Sequence, residues 1–147
     1  MTRGGSGHVA DCVFCRVAAG EAPAAMVVDE DHVVAFLDVR PLFPGHCLLV
    51  PRDHHETLVD LPDDLVGPLF ASARRLAQAV ECAMEAHGSF IALNNRVSQS
   101  VAHLHVHVVP RRYKDGLRGF FWPRQRYKDP EEAEAVAASI RARLPSP

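Results

Sequence analysis

A chain of 147 residues, 48% hydrophobic and 23% charged, has the size and balance of an ordinary globular fold, which excludes collagen-like, coiled-coil and disordered states. Sixteen basic against eighteen acidic residues leave a formal net charge of −2, so no global cationic field draws nucleic acid. The longest run free of Asp, Glu, Lys and Arg, Val97–Pro110, carries three histidines, two serines and a glutamine and is no membrane span.

In chain order, residues 1–10 read as a flexible tail, with three glycines, a serine and no periodicity. The tail has one Arg and no apolar stretch, so it is not a secretory signal, and the expected compartment is the reducing cytoplasm. A disulfide framework is not expected, and Cys12-x-x-Cys15 points to metal binding or redox chemistry. Val13–Ala19 is a short helix stopped by Gly20 and Pro23. Met26–Asp29 and Val33–Val39 are valine-rich strands, and the polar Glu30-Asp31 between them suits a hairpin turn. Arg40–Gly45 is a loop held by two prolines, and His46–Val50 is a third strand.

Leu65, Leu69, Ala73, Leu76, Val80 and Met84 recur at three- and four-residue steps, as on a long amphipathic helix. Asp63 and Asp64 suit its positive end and Gly88 the position just past its end, while Pro68 predicts irregular or kinked first turns. Ser89–Asn94 and Val101–Val109 follow as strands around a turn at Asn95–Ser100. Asp129-Pro130 caps a last helix to about Leu144, with Glu131 and Glu132 in its first turn and Arg141 and Arg143 in its last. The order predicts an α+β fold around a largely antiparallel sheet.

The segment His103-Leu104-His105-Val106-His107-Val108-Val109 carries the most chemistry. On an extended strand Leu104, Val106 and Val108 enter the core, while His103, His105 and His107 line the other face ~6.6 Å apart. Burying three imidazoles costs free energy unless each finds partners, so packing alone is a poor account of them. Two chemistries use such a row: the rings can share a metal ion, or one can be a nucleophile that the others orient. No carboxylate lies within or beside the row. Gln99 and Ser100 precede it and Arg111-Arg112 follow, and such donors suit a phosphate group.

Gln99–Pro110 resembles the signature of the histidine-triad (HIT) superfamily of nucleotide hydrolases and transferases. Asp11–Arg16, Val34–Val39, Pro44–Arg52 and the long helix are similar to that family in the same order, so the resemblance covers about Asp11–Arg112, nearest the Hint-like and Fhit-like branches. It implies a HIT-like α+β fold, a largely antiparallel five-stranded sheet with a long helix and a C-terminal helix. The whole is a single domain, 11–147, with a C-terminal extension from about 113. The resemblance also implies a chemistry. His105 attacks the α-phosphorus of a purine nucleoside phosphoramidate or dinucleoside polyphosphate, and water then frees a nucleoside monophosphate from the nucleotidyl-imidazole. His107 holds a phosphoryl oxygen, Ser100 donates toward the leaving group, Asn94 and Gln99 add neutral donors, and His46 and His103 flank the nucleophile. Asp38 matches the residue that holds the ribose hydroxyls, and Val13, Phe14, Val17, Phe36 and Val39 match the clamp around the base. The turn between Asn94 and Gln99 is about two residues shorter than in Hint-like members, with Ser98 where glycine is usual. Two rivals stand beside this reading: a hydrolase whose His row ligates a catalytic metal, and a zinc-stabilised nucleotide-binding or scaffolding module.

A thioredoxin-type redox pair needs a preceding strand and a βαβ context, which this N-terminus lacks. In HIT branches that carry the cysteine pair, the other zinc ligands match His54 and His103. The resemblance thus implies a closed structural zinc at Cys12, Cys15, His54 and His103, and no catalytic metal. His55 is read as a solvated neighbour, Cys47 as core and Cys82 as helix surface. The family implies a homodimer, and neither nucleic acid nor membrane is expected as a partner. The aromatics of Leu117–Arg124 suit either a second base or a dimer interface.

Overall fold

Short runs rich in valine and leucine, β1 (Met26–Asp29), β2 (Val33–Leu37) and β3 (Cys47–Pro51), pair antiparallel in chain order. β5 (Val106–Arg111) pairs with the free side of β3 and β4 (Gly88–Ala92) with β5, giving an antiparallel sheet in the order β1-β2-β3-β5-β4. This computed structural model describes residues 7–118 and 124–147. The chain divides into two compact units, Met1–Asp115 and Gly116–Pro147. The readings of residues 1–6 as a tail, and of Phe120, Phe121 and Trp122 as stacking or interface aromatics, lie outside the described residues.

Alternation splits the sheet's side chains between two covers. Val33, Ala35, Cys47, Leu49, Val106 and Val108 meet Leu69, Ala73, Leu76, Ala77 and Val80 of the long helix α2 (Asp63–Ala83). Leu49 and Leu69, 0% and 1% exposed, each contribute roughly 1.5–3 kcal/mol by leaving water. On the opposite face Val34, Phe36, Leu48 and Val50 pack with Phe14, Cys15 and Val17 of α1 (Val13–Ala18). A helix of six residues is far too short to persist alone, so packing and the Cys12 cap, whose Sγ accepts from Cys15 N–H, must hold it.

The elements depart from the sequence expectation in places, each for a local reason. The last strand begins at Val106, not Val101, because Leu104 N–H donates to the His55 carbonyl (2.7 Å) instead of a sheet partner. The second strand ends at Leu37, and the third is displaced to Cys47–Pro51. Pro68 sits inside α2 without ending it; it and Asp64, whose carbonyl loses a partner, are exposed to water. Gly88 opens β4 and does not cap α2. The cap is a Schellman pair, Ala86 N–H to the Glu81 carbonyl (2.9 Å) and Glu85 N–H to the Cys82 carbonyl (3.3 Å). Glu85 takes the left-handed position, at φ 50°.

In the second unit, α3 (Pro130–Arg141) starts where the sequence places it, with the Asp129 carboxylate accepting from Glu132 N–H at 2.8 Å. It ends at Arg141, short of Leu144, and none of its residues is buried. No helix among the described residues is long and apolar enough to cross a membrane.

Candidate active site

His105 and His107 lie on the α1 side of the sheet, their ring centroids 5.0 Å apart. Only His107 belongs to the regular strand; His103 and His105 occupy the irregular approach to it, yet Leu104, Val106 and Val108 still alternate into the core. A carbonyl oxygen only accepts, so His105 Nδ1, 2.7 Å from the His103 carbonyl, carries the ring proton. In the neutral tautomer this leaves the lone pair on Nε2. The rings of Phe14 and His105 meet in a T-shaped contact, centroids 5.2 Å apart, which packs His105 from the α1 side.

A second chain of bonds settles His107. Leu42 N–H donates to His46 Nδ1 at 3.0 Å, which puts the proton of neutral His46 on Nε2. That proton goes to His107 Nδ1, 2.9 Å away, and leaves His107 an N–H at Nε2. Burial holds His107 down to about 4, helped by repulsion from His105 and His46 against the pull of Asp38. Burial lowers His46 too, partly offset by Asp38. Both rings are neutral at pH 7, so a lone pair on His105 stands beside an N–H donor on His107.

These two rings open onto a cleft of about 450 Å³. Val13, Phe14 and Val17 line it from α1, and Phe36, Asp38 and Val39 from the end of β2. Ser100 stands on the third side. Val39 is 94% exposed and touches only the rim. Asp38 Oδ2 lies 3.6 Å from His46 Nε2, and its Oδ1 accepts from Arg40 N–H at 2.9 Å.

Asn94 and Gln99 do not line the cleft. The Asn94 amide donates to the Ser98 carbonyl at 3.2 Å. Gln99 accepts from Arg96 N–H at 2.8 Å and donates to the Glu56 carbonyl at 2.6 Å. The short turn needs this bracing, because Arg96 and Ser98 both adopt left-handed φ, 69° and 61°. Sequence reasoning also missed cleft residues: Pro23, Ala24, Leu37, Arg40, Leu48 and Val101. Leu48 was within reach of pattern, since it sits directly across from Phe36.

Behind the row lies a sulfur cluster. Cys12 Sγ and Cys15 Sγ stand 3.4 and 3.5 Å from His103 Nδ1, and Cys15 Sγ is 3.5 Å from His54 Nδ1. One donor atom from each of the four residues falls within 4.8 Å of all the others. Metal–sulfur and metal–nitrogen bonds of about 2.3 and 2.0–2.1 Å in a tetrahedron give edges of roughly 3.6 Å, so this donor set fits zinc. His103 Nε2 donates to the Pro51 carbonyl at 2.8 Å, which aims the Nδ1 lone pair at the sulfurs. Burial holds His103 down to about 4, the neutral form a metal requires, and pushes the Cys15 thiol up, a cost that a bound cation reverses.

Asp38, His46 and His107 also bring three donor atoms within 4.8 Å. There, however, Leu42 N–H forces the proton onto His46 Nε2, so the group is a hydrogen-bond relay and not a ligand set. The row does not converge on one ion either, since His103 turns into the sulfur cluster and His105 binds a carbonyl. His55 is not solvated: it is 7% exposed, and its Nε2 has no partner among the described residues. Its carbonyl is tied to Leu104 N–H, which draws the residue inward.

A profile of the HIT domain family matches residues 19–114. The chain is 35% identical over 144 residues to Protein hit of Bacillus subtilis, covering 95% of this chain and 99% of that one. It is 31% identical over 117 residues to adenosine 5′-monophosphoramidase HNT1 of Saccharomyces cerevisiae (79% and 72% covered). With adenylylsulfatase HINT3 of Arabidopsis thaliana it shares 29% over 141 residues (91% and 70%). The crystal structure of a HIT family member from Bacillus subtilis superposes with a TM-score of 0.82 at 34% identity, covering 93% of this chain and 99% of that one. A Zn-bound histidine triad family protein from Mycobacterium smegmatis superposes at 0.69, also 34% identical, with 90% and 96% covered.

Proposed function

The chain belongs to the HIT domain family, and from that premise we propose that it is a nucleotide hydrolase or transferase working through a covalent nucleotidyl-histidine. The observation that carries this is the pair of opposed tautomers at the cleft, a lone pair on His105 Nε2 beside an N–H on His107 Nε2. His105 Nε2 forms a bond to the α-phosphorus as the bond to the leaving group breaks. His107 N–H holds a phosphoryl oxygen as its charge rises. Ser100, at the cleft edge, donates toward the departing atom. Water then attacks the same phosphorus, releasing the nucleoside monophosphate and restoring the imidazole. His46 positions His107, and His103 positions His105 through its carbonyl.

The substrate on this reading is a purine nucleoside phosphoramidate, dinucleoside polyphosphate or related anhydride. Val13, Phe14, Val17, Phe36 and Val39 receive the base, and Asp38 accepts from the ribose diol. The relatives named for an adenylyl sulfate and for an adenosine phosphoramidate share the adenylyl half and differ in what leaves it. Cys12, Cys15, His54 and His103 would hold a structural zinc, which pins α1 to the segment before β5. The protein acts in the cytoplasm as a homodimer, and the chain from about 113 onward extends its single domain. Asn94 and Gln99 brace the turn, leaving the donor work to His107 and Ser100.

Mass spectrometry of reactions quenched in the steady state tests the mechanism. The chain should carry one nucleotidyl group, acid-labile and absent from His105→Ala, and that variant should lose turnover by at least ~10³-fold while keeping its circular dichroism. Turnover that depends strictly on added divalent ion, with no adduct trapped, would establish the metal-dependent rival. Nucleotide binding without turnover of any phosphoramidate, dinucleoside polyphosphate or adenylyl sulfate would leave the binding module.

A further inference from the structure

The cleft is short of positive charge. His46 and His107 are neutral at pH 7, and Asp38 adds a negative charge beside them. An α-phosphate can be held there by N–H donors alone, but among the described lining residues a second anionic group would meet one cation. Arg40 is the only arginine or lysine among the described residues of the lining. Its backbone N–H is tied to Asp38 Oδ1 at 2.9 Å, which sets residue 40 at the same rim as the carboxylate. Its side chain is exposed, and its guanidinium makes no hydrogen bond or ion pair among the described residues. Other arginines are engaged: Arg52 with Asp29, Arg75 with Glu30, Arg111 with Asp115.

We propose that Arg40 is the receptor for a second anionic group of the substrate, a phosphate or sulfate beyond the α-phosphate, and so sets a preference for anionic leaving groups. The proposal deepens the hydrolase reading and rests on it. A guanidinium presents a planar fork of N–H donors that matches two oxygens of such a group at once. Arg40 is long enough to reach past the rim, and its charge offsets the repulsion that Asp38 exerts on any further anion. A phosphate on the ribose would present the same chemistry to Arg40, and the titration below separates the two sources.

Calorimetric titration tests this without turnover, using AMP, α,β-methylene ADP and adenosine 3′,5′-bisphosphate on the intact protein, Arg40→Ala and Arg40→Lys. Arg40→Ala should bind α,β-methylene ADP about tenfold more weakly and AMP less than twofold more weakly, with Arg40→Lys in between. The difference should shrink at high ionic strength. A tenfold loss confined to the bisphosphate keeps Arg40 as the receptor and moves the anion to the ribose side. Equal losses for AMP and its methylene analogue, or no loss, overturn the proposal while leaving the hydrolase reading intact. An intact protein with no affinity for any of the three overturns both.

Discussion

Acid should destabilise this protein early, with His107 responsible for a defined part of the loss. A histidine whose folded-state pKa lies below its unfolded value binds fewer protons when folded. Its contribution is complete above the unfolded value, 6.5, and drains away as pH falls toward the folded value, about 4. At 1.36 kcal/mol per unit the full gap is worth ~3 kcal/mol, of which about 2 kcal/mol disappears between pH 7 and pH 5. Urea unfolding across that range, at one fixed protein concentration, measures it. The comparison is His107→Gln, which has no proton to gain and can still accept from His46 through its carbonyl. At pH 7 the variant should be the less stable protein, since it loses the fitted ring. By pH 5 the gap should have narrowed by about 2 kcal/mol, because only in the wild type does the unfolded chain gain a proton at residue 107 that the buried ring does not take up. Both proteins keep Cys12, Cys15, His54 and His103, so any proton-linked metal loss cancels in the difference. Parallel curves for the two proteins would refute the reasoning.

Elemental analysis should find about one zinc per chain, released on acidification, and Cys12→Ser with Cys15→Ser should lower Tm by about 10 °C or more. A metal-free protein whose melting a strong chelator does not move would remove the zinc. If Asp38 accepts from the ribose diol, 2′,3′-dideoxy substrates should react more weakly with the wild type, and Asp38→Ala should largely erase that preference; equal discrimination by both proteins counts against the role. Gly45→Ala should cost about 1–3 kcal/mol, since Gly45 sits at φ +95° and an added Cβ would come within 2.6 Å of Met84 Cγ. An unchanged urea midpoint would show that Met84 yields freely.

What the sequence revealed follows from which forces are local. Periodicity found the α2 face and the alternation of Leu104, Val106 and Val108, because burial on one side writes itself into spacing. The Asp129 cap was legible for the same reason: donor and acceptor are three residues apart. The start of β5 was not, since a carbonyl far away in sequence, at His55, takes the amide that would have extended the ladder. His55 itself reads as polar and solvated until that bond draws it inside. Asn94 and Gln99 have the chemistry of phosphate donors, but a turn with two left-handed residues takes the Asn94 amide for itself and is tied by the Gln99 amide to the distant Glu56 carbonyl. Arg40 went unread because a loop residue beside a proline announces no partner, and only the fold brings its loop to the cleft that His105 and His107 line.

The position of β3 in the sheet has a consequence for how the chain is made. All five of its residues are buried in the finished fold, with β2 on one side and β5 on the other. β1, β2 and β3 can form a meander as soon as they leave the ribosome, but Leu49 must wait for Val106, on the order of fifty residues later. At ordinary synthesis rates that wait lasts roughly 3–10 s. For its duration the meander presents an apolar strand with an unpaired row of N–H and C=O groups, a template for any other extended chain nearby. α2 emerges in the interval and can cover the face, but not the edge. Fragments that stop before β5 will therefore aggregate even though most of the core residues are present, and the yield of folded protein is decided in that interval.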